Sequence, residues 1–225
     1  ADFPNGLTSN GHLDLNSDSG RLKLGAGDDL SLYHDGSNSY IVNAGGDLRI
    51  WSKPSEYAIT AAPDGAVSLY YDNSSKFATT NDGVSITGIT TTGGAHFQGM
   101  LREDTNIVAN KLSAATNINL EDGMIHYFST NETTTATPNV RFSSSKTLNN
   151  MMSVGETVTV TIIYKPNGAG YYAQLTIDGS GETENWNGGA APSAANAGGF
   201  DVLTHTITKV SNAGWLILSN VQNYA

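Results

Sequence analysis

The sequence predicts an all-β protein: a repeat-containing β-shaft that is stable only as an oligomer, followed by a C-terminal β-sandwich or jelly-roll head. Three observations predict it. First, uncharged side chains carry the polarity. Only 14% of the 225 residues are charged, while Thr, Ser and Asn number 24, 22 and 22; an average globular chain is about 25% charged. Solvated helices need Lys/Glu/Arg-rich faces, and this chain has too few such residues for many of them. Thr favours strands, and Asn, Gly and Ser favour turns. Second, apolar residues alternate with polar ones in many short stretches, the period of a half-buried strand. Third, one strand–turn–strand unit recurs 37 positions on, Leu32 matching Leu69.

The repeat aligns Leu30-Ser31-Leu32-Tyr33-His34-Asp35-Gly36-Ser37-Asn38-Ser39-Tyr40-Ile41 with Val67-Ser68-Leu69-Tyr70-Tyr71-Asp72-Asn73-Ser74-Ser75-Lys76-Phe77-Ala78. It extends upstream, Leu22 to Ile59, and downstream, Gly46 to Gly83. Each copy reads as a hairpin whose turn is Asp35-Gly36-Ser37-Asn38 or Asp72-Asn73-Ser74-Ser75. Further alternating pieces are Leu13-Asp14-Leu15, Leu22-Lys23-Leu24, Leu48-Arg49-Ile50 and Val84-Ser85-Ile86. An isolated hairpin of this kind is marginal in water. Two copies make a thin sheet with one apolar face and little to cover it, so several identical chains are expected to bury a Leu/Val/Tyr stripe against one another. This shaft is expected over residues 1–94, a neck or linker over 95–123, and the head over 124–225. Strands are expected at 124–130, 139–142, 157–164, 171–177, 200–210 and 215–221. Ser144-Ser145 is expected to cap one short helix over 146–152. Residues 185–199, built almost wholly from Trp186, Asn, Gly, Ala, Pro192 and Ser193, read as a long loop, and such loops often carry function.

Several function classes fall away. The net charge is −10 with 11 Lys and Arg, whereas nucleic-acid binding needs a basic face, so no nucleic-acid partner is expected. No apolar run approaches the roughly 18 residues of a membrane-spanning helix, so no membrane insertion is expected. Ala1-Asp2-Phe3-Pro4 has neither the basic nor the apolar region of a signal peptide. Cysteine is absent, which excludes disulfides and thiolate-held metals. No nucleophile elbow, phosphate loop or dinucleotide fingerprint is present, and no cofactor is expected.

The stretch from Leu24-Gly25-Ala26-Gly27-Asp28-Asp29 through Tyr40-Ile41 resembles a repeat of virion fibre proteins of marine tailed phages, cyanophages above all. So does the stretch from Asp64-Gly65-Ala66-Val67 through Lys76-Phe77. A second stretch resembles the C-terminal domain that closes many such appendages. It runs from Leu101-Arg102-Glu103-Asp104 through Asn119-Leu120-Glu121-Asp122-Gly123-Met124, Met152-Ser153-Val154-Gly155-Glu156-Thr157 and Asp178-Gly179-Ser180. The resemblance implies a non-enzymatic homotrimer in the virion, assembled in the host cytoplasm and extracellular after release. It implies other virion proteins and a host-surface glycan or protein as partners. The alternatives are a capsid head fibre or decoration protein without receptor binding and, from another class, a polysaccharide depolymerase.

Trp186, Asn185 and Asn187, with Tyr171 and Tyr172, are the candidate ligand-binding residues. An aromatic face beside amide side chains is the chemistry of sugar recognition. The competing reading folds Trp186 inward and divides Tyr171 and Tyr172 between core and subunit interface. A depolymerase would need two carboxylates flanking a groove, and Glu182, Glu184 and Asp201 are the candidates by proximity to Trp186. Gly25-Ala26-Gly27-Asp28-Asp29 and Asp178-Gly179-Ser180-Gly181-Glu182-Thr183-Glu184 are faintly calcium-loop-like, and both read better as turns. The histidines His12, His34, His96, His126 and His205 form no metal-spaced pair; His34, His96 or His126 could meet on an oligomer axis.

Overall fold

The computed structural model describes residues 11, 14–168, 170–196 and 198–224. The chain is predominantly β, with four sheets and a single four-residue α-helix among the described residues. It divides into two compact units, Ala1–His96 and Phe97–Ala225. His12 and Leu13 lie outside the described residues.

The first unit contains β1 (Arg21–Leu24), β2 (Leu30–His34), β3 (Ser39–Asn43), β4 (Leu48–Lys53), β5 (Glu56–Ala61), β6 (Val67–Tyr71), β7 (Ser74–Thr80) and β8 (Gly83–Ile86). They form two antiparallel meanders in chain order, β1-β2-β3 and β4-β5-β6-β7-β8. The two repeat copies supply equivalent strands but close differently. In the first copy Asp35 Oδ1 accepts from the backbone N–H groups of Ser37 and Asn38, at 2.9 and 2.8 Å. In the second, Asp72 and Asn73 both take left-handed backbone, φ +48° and +57°, the geometry of the tightest hairpins. Asp14 and Leu15 form no strand.

Register makes the two faces of the larger meander unlike. Ile50, Ile59, Leu69, Phe77 and Ile86 pair in one unbroken row across all five strands. One residue along, Arg49, Thr60, Ser68, Ala78 and Ser85 pair in a row on the opposite face. The smaller meander repeats the pattern with Leu22, Leu32 and Ile41. Tyr33, Tyr40 and Tyr70 alternate with these apolar residues and so lie opposite them. Tyr71, two residues on from Leu69 and 75% exposed, stays on their side, so the expected Leu/Val/Tyr stripe loses Tyr33, Tyr40 and Tyr70 and gains Ile and Phe. Among the described residues of the unit nothing covers it. Among the described residues of this unit only Ser31 and Ser68 are buried, and they occupy equivalent positions of the repeat.

The second unit has a core. It contains β9 (Thr105–Val108), β10 (Asn117–Asn119), β11 (Ile125–Glu132), β12 (Asn139–Arg141), the helix α1 (Leu148–Met151), β13 (Thr157–Pro166), β14 (Thr176–Ile177), β15 (Ser180–Gly181), β16 (Glu184–Trp186), β17 (Phe200–Ser211) and β18 (Gly214–Tyr224). A six-stranded sheet, β16-β18-β17-β13-β11-β9, and a four-stranded one, β10-β12-β14-β15, contribute to one sandwich-like core. Phe128, Val160, Ile162, Tyr164, Leu203, Ile207 and Ile217 of the larger sheet join Ile118, Val140 and Ile177 of the smaller in that cluster. Five of the pairings are parallel: β9 and β13 with β11, β16 with β18, and β10 and β14 with β12.

Residues 97–123 belong to this unit, which corrects the expected neck. β9 and β10 are sheet members, and Leu112 and Ile118 are fully buried. The helix begins later than expected. Ser143 Oγ accepts from Ser145 and Lys146 N–H in a local turn. Thr147 is the true cap, its Oγ1 accepting from Asn150 N at 3.2 Å. The segment expected as a strand over 171–177 pairs only at Tyr172, with Ala136, and at Thr176–Ile177.

Candidate functional site

β17 alternates cleanly. Asp201, Leu203, His205, Ile207 and Lys209 point into the core, while Val202, Thr204, Thr206 and Thr208 remain half-buried on the outer face. Cross-strand register continues that outer face. Thr157 meets Thr208, Thr159 meets Thr206 and Thr161 meets Thr204; Leu218 sits beside Thr206 and Asn220 beside Thr204. β16 adds an edge on which Asn185 pairs with Leu218. An open cavity of about 370 Å³ lies here, lined by Asn185, Trp186, Asn187, Thr204, Thr206 and Asn220 with Leu218 and Ser219. Among the described residues no charged one lines it. Asn187 Nδ2 donates to Asn220 Oδ1 at 3.3 Å, and Asn185 Nδ2 to the Ile217 carbonyl at 3.1 Å. The remaining amide and hydroxyl groups can both give and accept hydrogen bonds, and Leu218 offers an exposed apolar spot.

Asn185, Trp186 and Asn187 are thus brought together as the sequence suggests, but the aromatic is turned. Because β16 is a strand, Glu184 and Trp186 point one way and Asn185 the other. The Trp186 ring packs edge-on against Tyr172, centroids 5.5 Å apart, and against His205 at 6.0 Å. Tyr172 is 0% exposed and cannot touch a ligand. Tyr171 stands at the neighbouring bridge, where its carbonyl accepts from Ala136 N, and does not line the cavity. The binding set is corrected accordingly: Asn185 and Asn187 face the cavity, Trp186 borders it from the core side, and the two tyrosines leave it. Trp186→Ala is expected to lower the stability of the second unit by about 3 kcal/mol, the usual cost of deleting a packed indole, read by denaturant unfolding. An unchanged unfolding midpoint would make the indole a free surface group.

The carboxylate candidates are occupied. Tyr172 Oη donates to Glu184 Oε1, Ser219 Oγ donates to the same oxygen at 3.1 Å, and Leu175 N donates to Oε2 at 3.1 Å. Asp201 accepts from Tyr164 Oη at 3.1 Å and from Asn223 Nδ2 at 2.6 Å. Burial and these carboxylates push both phenols up, so they stay protonated donors. Glu182 lines a different cavity, and desolvation raises its carboxyl. Among the described residues no pair of free carboxylates faces a groove here. Ser219, His205 and Glu184 superficially suggest a nucleophile, base and acid. Serine and carboxylate both approach the same ring nitrogen, Nδ1, at 2.8 and 3.5 Å. His205 is 0% exposed, and burial pushes its imidazole down to about 4. A triad needs the two partners on opposite nitrogens and the serine open to substrate, so this cluster is a structural brace beneath the cavity.

The remaining histidines separate. His126 is buried, and this lowers its pKa; Nε2 contacts the Gly123 carbonyl at 2.9 Å and Nδ1 contacts Asn106 Nδ2 at 3.2 Å. His34 meets Ser39 Oγ at the surface, and His96 is exposed. Asp28 pairs with Lys23, so the first calcium-like stretch is a turn; Asp178 accepts from Leu148 N and Asn149 N, and the second is a turn that leads into β15 and β16. Among the described residues no three His, Asp or Glu side chains converge to hold an ion.

Sequence reasoning missed Glu132. Fully buried, it accepts from Ser113 N and Oγ at 2.6 and 2.8 Å and from Thr133 N and Thr134 N at 2.8 and 2.9 Å. Burial alone would raise its carboxyl, but the bonds from Thr134, Ser113 and Thr133 outweigh it and hold the group below its ordinary value. The one available signal was a lone acid inside the Ser/Thr-rich run Thr130-Asn131-Glu132-Thr133-Thr134-Thr135.

No family model, curated protein or solved structure matches the chain.

Proposed function

We propose that this chain is a non-enzymatic structural protein that works as an assembly of identical copies, a homotrimer of the virion-appendage kind its repeat resembles. In this reading the first unit is the shaft, and the second is a β-sandwich head that contributes to attachment at a host surface, alongside other virion proteins. One observation carries it: the five-stranded meander has an unbroken apolar row, and among the described residues of its unit no apolar side chain is buried. Leu69 is 43% exposed and Val84 58%. A soluble chain does not leave a contiguous apolar sheet face wet, and faces of this kind mark association surfaces. Closed symmetry is the general solution for identical chains. The uncharged cavity at Asn185 and Asn187 is the contact assigned to the host surface, since its amides and hydroxyls suit a neutral sugar or a peptide backbone.

The test is the mass in solution. Sedimentation equilibrium at neutral pH is expected to give three times 23.6 kDa, about 71 kDa. A monodisperse 23.6 kDa species at every dilution would overturn the reading.

A further inference from the structure

We propose that a second cavity, beside α1, is a binding site for an oxyanion: a carboxylate, sulfate or phosphate group on a small carrier such as a sugar ring. This inference is independent of the assembly proposed above. The cavity measures about 250 Å³ and is lined by Arg141, Lys146, Ser144, Ser145 and Thr147, with Asp178 among its walls. That is slightly below the 300–1,000 Å³ of drug-sized ligand sites, room for a charged group and part of its carrier.

Charge placement is the first argument. The chain has 11 basic against 21 acidic residues, yet two of the basic ones share this cavity. Lys23, Arg49 and Lys53 are paired with Asp28, Asp47 and Glu56, and the other Lys and Arg have no carboxylate within 4.0 Å among the described residues. Among the described residues neither Arg141 nor Lys146 has a carboxylate within 4.0 Å. What sets Arg141 and Lys146 apart is that both line one cavity in a chain with 21 acidic and 11 basic residues, a concentration of positive charge suited to an anion.

Preorganisation is the second. Arg141 extends from β12, held between β10 and β14. Its Nε donates to Asn119 Oδ1 at 2.7 Å, which fixes the guanidinium plane and leaves the terminal nitrogens free to grip an anion in bidentate fashion. Ser143 Oγ pins the loop by accepting from Ser145 N and Lys146 N at 3.2 and 3.1 Å. The hydroxyls of Ser144 and Ser145 and the Lys146 ammonium are thereby carried on a short, braced turn. Asp178, the one acid in the lining, spends its two oxygens on Leu148 N and Asn149 N at 2.8 and 2.9 Å. The lining keeps a net charge of +1, since Arg141 and Lys146 outnumber Asp178.

The experiment titrates the full chain at pH 7 with sodium sulfate, inorganic phosphate, acetate and glucuronate in separate arms, ionic strength held constant with sodium chloride. Amide chemical shifts or calorimetry report binding. Saturable binding with a midpoint on the order of 1 mM is expected, and the tightest arm identifies the oxyanion. Arg141→Gln is expected to weaken it about tenfold, the worth of one charge-assisted bidentate contact. Lys146→Gln, at an exposed side chain, leaves melting unchanged and weakens binding about threefold. No saturable binding in any arm, or binding that both variants leave intact, overturns the proposal.

Discussion

Leu69→Asp is expected to turn the proposed assembly of about 71 kDa into single chains of 23.6 kDa while the second unit keeps its unfolding midpoint. Leu69 stands at the centre of the apolar row, paired with Ile59 on one side and Phe77 on the other. In a lone chain an aspartate there would be wet and nearly free of cost. Between chains it would be stripped of water without a partner, which costs several kcal/mol per ion. Three chains bring three such charges, and mutual repulsion adds to desolvation. Ser85→Asp is the control. Ser85 lies in the polar row, opposite Ala78, so the same charge on the other face is expected to leave the mass unchanged. If both variants dissociate, or neither does, the apolar face is not what joins the chains.

Glu132→Gln is expected to cost the second unit about 2–3 kcal/mol, the range for losing hydrogen bonds to a charged group and leaving buried donors without a partner. Ser113 N, Thr133 N and Thr134 N converge on this carboxylate, and an amide must turn an N–H₂ group against some of them. Linkage gives the pH dependence. The folded carboxyl lies below its unfolded value, so its stabilisation is complete above about pH 4.3 and fades as pH falls through the folded pKa. In the Glu132→Gln variant the unfolding free energy is expected to change less between pH 5 and pH 3 than in the parent. Equal slopes would mean that other carboxylates govern acid unfolding.

The first unit was the more legible half, because its strands pair with their chain neighbours and alternation alone assigns faces. Even there the repeat misleads by one residue. Phe77 aligns in sequence with Tyr40, yet it takes the place across from Leu69 that Ile41 takes across from Leu32. A bulge after Leu69 resets the register, and a one-residue slip exchanges the faces. In the second unit the long antiparallel strands were legible and the short parallel ones were not. β9 and β10 have four and three residues, and each joins a strand about twenty positions away. Nothing local marks such a partner, so the segment read as a neck. Trp186 shows the same limit at the site. A Gly- and Asn-rich setting suggests exposure, but three residues of strand suffice to turn the ring inward and leave only Asn185 and Asn187 at the cavity. Arg141 and Lys146 were legible as residues, and their meeting in one cavity was not.

The two sheet orders bear on how the chain acquires its structure. In β4-β5-β6-β7-β8 every pairing joins strands adjacent in sequence, whereas β13 waits for β17 and β16 pairs with a segment some thirty residues ahead. Contacts of short loop length close fast, and distant ones close slowly. The ribbon pairings can therefore close early, but they stay marginal while their apolar side is bare, and the sandwich is meanwhile still searching for its partners. Under the proposed assembly, the meeting of ribbons should limit refolding at high dilution, and the sandwich search, in competition with clumping, at high concentration.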